Sequence, residues 1–185
     1  MSELSHQGRV VVFTDGACRN NQDVRFRRAG YGAYWADGHH FNVSAALEGW
    51  CQTNKRLELR AVIAALETDA RPLEIRTDSK YVFNGCTLHL AAWRASGWRR
   101  QSNADLWQRL DACLLGSPID SVEFVKVKGH TKIHHVRSGL ETKESVLTNC
   151  AADALATRGA DSHEWSQRRS KCPAAKSLWH CRYKP

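Results

Sequence analysis

Two stretches of this chain share one design, and that design constrains the fold more than any other feature. Arg9-Val10-Val11-Val12-Phe13-Thr14-Asp15-Gly16-Ala17-Cys18 runs from β-favouring apolar residues into Thr-Asp and then a glycine. Leu73-Glu74-Ile75-Arg76-Thr77-Asp78-Ser79-Lys80 repeats the plan, ending in a turn or helix start. The unbroken run from Val10 to Phe13 predicts a buried central strand. A single Asp in such a place is equally well explained as a turn former, because its side chain accepts local backbone N–H bonds. The repetition is what points further: two neighbouring strands ending in Thr-Asp would set Asp15 and Asp78 side by side at one edge of a sheet.

The intervening pattern predicts how those strands come together. Tyr31 to Ala36 and His39 to Ser44 read as strands joined by a hairpin turn at Asp37-Gly38. With the first strand they form an antiparallel meander. Thr53 can cap a helix whose stripe is Leu59, Val62, Ile63 and Leu66, with Glu58 at the border of that stripe. Pro72 closes the segment, and Leu73 to Thr77 follows as a strand. A strand, helix and strand in succession predict a right-handed crossover, with the fourth strand parallel to the first. Ser79 to Leu115 is mostly helical, interrupted at Gly85 and Gly97. Ser102 or Asn103 starts its last helix, with Leu106, Leu110 and Leu114 in one stripe. Val122 to Val127 is a fifth strand, 131–148 a long loop without periodicity, and Asn149 to Gly159 an Ala-rich helix closed by Gly159.

At 185 residues the chain is long enough for one full core with extensions. No apolar run approaches the roughly 18 residues of a membrane span, and the first eight residues are polar without a signal region, so an intracellular protein is expected. Seven cysteines are scattered without a C-x-x-C pair, which predicts neither a disulfide framework nor a zinc ribbon. The net charge of +8 points to a polyanionic partner. Residues 161–185 carry six Lys or Arg against two Asp or Glu, half of that excess, and read as a basic, partly disordered tail. His163, Cys172, His180 and Cys181 within it are too irregularly spaced for zinc.

The candidate acids are Asp15, Glu58, Asp78 and Asp153. Carboxylates crowded together cannot all stay ionised without cations. Mg²⁺ or Mn²⁺, which favour oxygen ligands, resolve this, and two such ions about 4 Å apart suit in-line displacement at a phosphodiester.

Five segments together carry a resemblance. Thr14-Asp15-Gly16-Ala17-Cys18, Thr53-Asn54-Lys55-Arg56-Leu57-Glu58-Leu59, Thr77-Asp78-Ser79-Lys80-Tyr81-Val82, Lys128-Gly129-His130 and Asn149-Cys150-Ala151-Ala152-Asp153-Ala154-Leu155-Ala156 resemble, in order, the motifs of type 1 ribonuclease H. The resemblance implies an α/β, ribonuclease H-like fold. Its five-stranded mixed sheet would have the meander first and the fourth and fifth strands parallel to the first, flanked by helices. The domain would span 9–160 after a polar segment at 1–8, with a basic protrusion near 93–100.

The implied activity is an endonuclease cutting the RNA strand of RNA–DNA hybrids, leaving a 5′-phosphate and a 3′-hydroxyl. Two Mg²⁺ ions would serve it, with Mn²⁺ as a substitute, in a monomer. By the same resemblance Asp15 holds both ions, Glu58 and Asp78 complete one site, and Asp153 the other; His130 assists proton handling or product departure. Asn54 and either Asn20 or Asn21 would read the RNA strand, Thr53 and Asn103 would hold a DNA phosphate, and Trp93, Arg94, Arg99 and Arg100 would line the protrusion's DNA contact. Trp98 and Trp107 are expected in the core. The stretch from His130 to Asn149 is longer than in compact bacterial members, and Cys150 stands where an acid is common. Two other readings are a ribonuclease H domain of a retroelement polyprotein and a hybrid-binding module with impaired catalysis. Retention of all four acids and His130 argues against the second.

Overall fold

The computed structural model describes residues 8–20, 22–23, 27–49, 51–118, 121–129 and 143–162, the side chains of 143–146 excepted. Five strands form one sheet: β1 (Val10–Arg19), β2 (Arg28–Tyr34), β3 (Val43–Ala46), β4 (Leu73–Thr77) and β5 (Val122–Lys126). Their order is β3-β2-β1-β4-β5. The first three pair antiparallel, whereas β4 is parallel to β1 and β5 to β4. This is the mixed sheet expected from the sequence, with β1 at its centre.

The uninterrupted apolar run of β1 has a simple cause: both faces of the strand are covered. Val10 and Val12 join Ile75, Leu59, Val62, Ile63, Trp107 and Leu110 on one face. These come from β4, α1 (Asn54–Thr68) and α4 (Ala104–Gly116). Val11 and Phe13 point the other way, against Ala152 and Leu155 of α5 (Lys143–Asp161). Burying a Val, Leu or Ile side chain contributes roughly 1.5–3 kcal/mol, so this two-faced core is the main stabilising element. Trp107 is fully buried, as expected, and Trp98 packs half-buried at the edge of the same core.

Several local expectations are corrected. The hairpin strand does not start at His39: Trp35 to Asn42 is a wider loop, and β3 begins at Val43. Asn42 replaces the ladder there, its Oδ1 accepting from Trp35 N (2.9 Å) and its Nδ2 donating to Ala36 O (2.7 Å). Gly85 does not interrupt the second helical region. It begins a π turn (Gly85–His89) joining α2 (Lys80–Asn84) to α3 (Leu90–Ala95), and a Cβ on it would lie 2.0 Å from the Trp107 ring.

The helix expected at Asn149 already starts at Lys143, within the expected 131–148 loop, and 130–142 lies outside the described residues. Leu147 is largely exposed there. A helix extends cheaply once nucleated, so its start need not carry an apolar stripe. Nor does Gly159 end this helix; it sits inside it because a Cβ would meet Ala45 O at 2.4 Å. Cys51 is disulfide-bonded, which scattered spacing did not indicate, while Cys86, Cys113 and Cys150 are free thiols. The segment 1–7 and the tail beyond Ser162 lie outside the described residues.

Candidate active site

The site is built at the carboxyl end of β4 and midway along β1, where the parallel pairing of the two strands stops. Instead of ending at Thr14-Asp15, as expected, β1 runs on to Arg19 paired with β2. Thr14 pairs with Thr77 across the two parallel strands. Both threonines are buried and use their hydroxyls locally: Thr14 Oγ1 donates to Arg76 O (3.4 Å), and Thr77 Oγ1 accepts from Ser79 N (3.1 Å). One residue further on, Asp15, still paired with Gly32 of β2, and Asp78, just past the end of β4, come together. Ser79 then caps α2, its hydroxyl accepting from Val82 N, which turns the chain away and leaves Asp78 at the rim.

Glu58 arrives from α1 through a close approach. A Cβ on Gly16 would lie 1.6 Å from Leu57 Cδ1, so the helix rests directly on the residue after Asp15. One carboxylate oxygen each from Asp15, Glu58 and Asp78 falls within 4.8 Å of the others.

Asp153 is brought by a second close approach. Asp15 faces Gly32 across β1 and β2, and a Cβ on Gly32 would meet Ala156 N at 2.7 Å and Ala152 O at 2.8 Å. The missing side chain lets α5 lie on the strand beside Asp15. Asp153 is exposed and stands outside the tight trio, but its charge reaches Asp15.

Crowding shows in the proton affinities. Burial first, then the Asp78 charge and to a smaller degree that of Asp153, push Asp15 up to about 7, although Gly16 N–H donating to its Oδ1 (2.7 Å) works the other way. Burial and the charges of Asp15 and Asp78 raise Glu58 well above the usual carboxylate range, with Lys126 opposing. Glu58 Oε2 is buried with no hydrogen-bond partner. An all-carboxylate donor set with an orphaned buried oxygen fits a hard divalent cation, which takes oxygen ligands and supplies the missing charge.

The comparisons with known proteins agree with this geometry. The family model RNase H matches residues 7–161. The chain belongs to the ribonuclease H family. It is 39% identical to the ribonuclease H of Alcanivorax borkumensis over 165 residues, 85% of this chain and 95% of that protein. It is 37% identical to the ribonuclease H of Mycolicibacterium gilvum, over 81% of this chain and 91% of that one. Among solved structures, the prototype foamy virus ribonuclease H domain superposes with a TM-score of 0.56 at 23% identity, over 82% and 93% of the two chains. LC9-RNase H1 gives 0.59 at 24%, over 94% and 84%. At these identities the structural likeness speaks for the fold, which is ribonuclease H-like. Members of the family use divalent metals, in keeping with the acidic trio.

The remaining expected residues are placed as follows. Thr53 is the residue before α1, with its carbonyl accepting from Arg56 N (3.0 Å) and Leu57 N (3.1 Å) but no capping bond from its side chain. Asn54 opens the helix, exposed. Asn103 precedes α4 in a left-handed conformation (φ 59°) and donates from Nδ2 to the Tyr81 hydroxyl (3.2 Å). Arg56 reaches across to Asp105 (2.9 and 2.6 Å), bringing the starts of α1 and α4 together and with them Thr53 and Asn103.

Asn20 lies at the end of β1, exposed, with φ 53°; Asn21 and His130 lie outside the described residues. Trp93 is half-buried, its ring 4.9 Å from that of Trp107. Arg94 forks onto the buried carboxylate of Asp111, Nε to Oδ2 at 2.9 Å. Arg99 and Arg100 are exposed, beyond a backbone that turns left-handed at Trp98 (φ 62°) and Arg100 (φ 60°).

Sequence reasoning identified the acids and missed the glycines that seat them. An open groove of about 810 Å³, lined by Arg9, Leu114, Val122 and Phe124 among others, lies at the amino ends of β1 and β5, away from the acids.

Proposed function

We propose that this chain is a monomeric, intracellular endoribonuclease that hydrolyses the RNA strand of RNA–DNA hybrids with two Mg²⁺ ions, Mn²⁺ substituting. The observation that carries this reading is the trio of carboxylates within 4.8 Å in a chain that the ribonuclease H model matches from residue 7 to 161. Its products would be a 5′-phosphate and a 3′-hydroxyl. All the acids come from one chain, so no partner copy is needed to complete the site.

Asp15 would hold both ions, Glu58 and Asp78 one, and Asp153 the other. When bound, the ions supply the charge that keeps the cluster ionised and polarise water and phosphate oxygen. The rest is done by the chain's own groups. Gly16 N–H fixes one Asp15 oxygen, leaving the other free to coordinate. His130 exchanges a proton with the reacting oxygens or helps product leave. Asn54 and Asn20 or Asn21 would face the RNA strand, where a 2′-hydroxyl contact tells RNA from DNA. Thr53 and Asn103, drawn together by the Arg56–Asp105 pair, would hold a phosphate of the DNA strand. Exposed Arg99 and Arg100 supply further phosphate contacts, with Trp93 and Arg94 behind them forming the base of the protrusion.

The reading is tested by incubating labelled RNA–DNA hybrid, double-stranded RNA and double-stranded DNA with the protein, in Mg²⁺ and in EDTA. Cleavage confined to the RNA of the hybrid, in Mg²⁺ only, supports it. Metal-independent cleavage, or none, overturns it.

A further inference from the structure

Gly129 stands two residues after the last β-type bond of the sheet, in which Val127 N donates to Thr77 O (3.0 Å). That bond carries the chain one step past β5, alongside the end of β4, and so past Asp78. A Cβ on Gly129 would lie 2.2 Å from Asp78 Oδ2, 3.0 Å from its Cγ and 3.2 Å from its Cβ. Carbon and oxygen in van der Waals contact stay more than 3 Å apart, so the space for a side chain is filled by the carboxylate itself.

Glycine is usually required for one of two reasons: a left-handed backbone or a close approach. Among the described residues the left-handed glycines are Gly8, Gly38, Gly49 and Gly97. Gly129 is not among them, so its backbone is one that any residue can adopt. The requirement is therefore steric, and it is directed at one atom of a candidate metal ligand. Among the described residues the other glycines in close approach meet core side chains or backbone: Leu57 at Gly16, Trp107 at Gly85, α5 at Gly30 and Gly32, and Ala45 of β3 at Gly159. Those contacts concern how elements pack. The contact at Gly129 concerns where a carboxylate points.

We infer that Gly129 is a positioning residue for the metal centre: its bare backbone forms the wall that sets the orientation of the Asp78 carboxylate. The inference rests on the reading of Asp78 as a metal ligand and deepens it. With a methyl group at residue 129, Asp78 is the group that yields, because a short side chain at a rim turns more easily than a strand end moves. Its Oδ2 must shift by about 1 Å to regain contact distance. Metal sites tolerate about 0.2 Å in ligand distance, and a misplacement of about 1 Å at a reacting centre costs on the order of 100-fold. The fold itself is spared.

The test compares wild type, Gly129→Ala and, as a control, Gly116→Ala, since nothing lies within 4 Å of a Cβ at Gly116. Mg²⁺ binding is measured by calorimetry on the protein alone, and the Asp78 side-chain carboxyl is followed by ¹³C NMR during the titration. Expected for Gly129→Ala are a displaced Asp78 resonance before Mg²⁺ is added and at least 10-fold weaker Mg²⁺ binding. The melting temperature and the KM for hybrid at saturating Mg²⁺ should stay near wild type, with Gly116→Ala unchanged throughout. A Gly129→Ala protein with wild-type Mg²⁺ affinity and an unmoved Asp78 resonance overturns the inference while leaving the metal reading in place. A wild-type protein whose Asp78 resonance ignores Mg²⁺ overturns the metal reading, and the inference with it.

Should Gly129→Ala fail to fold, the same substitution is made on Asp78→Ala, where the clash is gone. Recovery of folding supports the inference, and continued misfolding overturns it.

Discussion

Leu57 lies against Gly16 so closely that a Cβ on residue 16 would overlap Leu57 Cδ1 at 1.6 Å. Each partner in this contact is the sequence neighbour of a catalytic candidate, Gly16 of Asp15 and Leu57 of Glu58. The packing of helix on strand therefore also governs how near the two carboxylates come, one oxygen of each lying within 4.8 Å of the other. Leu57 is almost fully buried, with 1% of its surface exposed, so it has no room to withdraw. Gly16→Ala is expected to destabilise by about 1–3 kcal/mol, as overpacked cores do, and to weaken Mg²⁺ binding as well. Denaturant melts and calorimetry check both; a loss of stability without a loss of metal affinity would separate the packing from the site.

Metal-free stability should depend on pH through Asp15. Its carboxyl sits at about 7 in the folded chain, against about 3.9 when unfolded. Between those values the folded state binds the extra proton, so stability falls as pH rises from about 4 to about 7 and stays low above that. Asp15→Asn removes the charge and this part of the slope, and should stabilise the EDTA-treated protein at pH 8 by about 1–3 kcal/mol. The same substitution should abolish cleavage in Mg²⁺. Urea melts in EDTA across pH, for wild type and variant, decide it.

The arginines of the protrusion should separate by role. Arg99→Ala and Arg100→Ala each remove an exposed cation, so each should lower the slope of log affinity against log salt by roughly 0.7–0.9 and leave the melting temperature unchanged. Arg94→Ala leaves the Asp111 carboxylate buried without its fork and should lower the melting temperature. Arg94→Met with Asp111→Leu, which removes both charges, should restore it. An unchanged melting temperature in Arg94→Ala would show that the pair is not structural.

His130→Ala should slow turnover about 10- to 100-fold, the lower part of the range for acid–base catalysis, with hybrid binding near wild type. Single-turnover rates and filter binding distinguish this outcome from a loss of binding.

Much of this was legible because chemistry and strand punctuation coincide. Asp15 and Asp78 could be paired from sequence since both follow a β-run and a threonine, and the Thr14–Thr77 register is the direct consequence of two parallel strands of like design. Glu58 and Asp153 could be named from motifs, but the contacts that seat them could not. Gly16, Gly32 and Gly129 look like ordinary turn or strand glycines in the sequence, and their roles depend on atoms 20 or more residues away. Arg94 illustrates the reverse. A basic run near a tryptophan reads as substrate contact, yet Asp111, seventeen residues on, takes up its guanidinium. The early start of α5 and the bond at Cys51 left no trace in periodicity or spacing, because neither depends on a local pattern.

The central claim is that Asp15 and its neighbours form a divalent-metal centre for cutting RNA in hybrids. The most direct measurement is the cleavage rate of a labelled RNA–DNA hybrid by wild type and Asp15→Asn, in Mg²⁺ and in EDTA. The predicted result is RNA-strand products ending in 5′-phosphate and 3′-hydroxyl from wild type in Mg²⁺ alone, and at least about 1000-fold slower cleavage by Asp15→Asn, since carboxylate and metal act as one unit. Cleavage by Asp15→Asn at the wild-type rate, or wild-type cleavage that persists in EDTA, would contradict it.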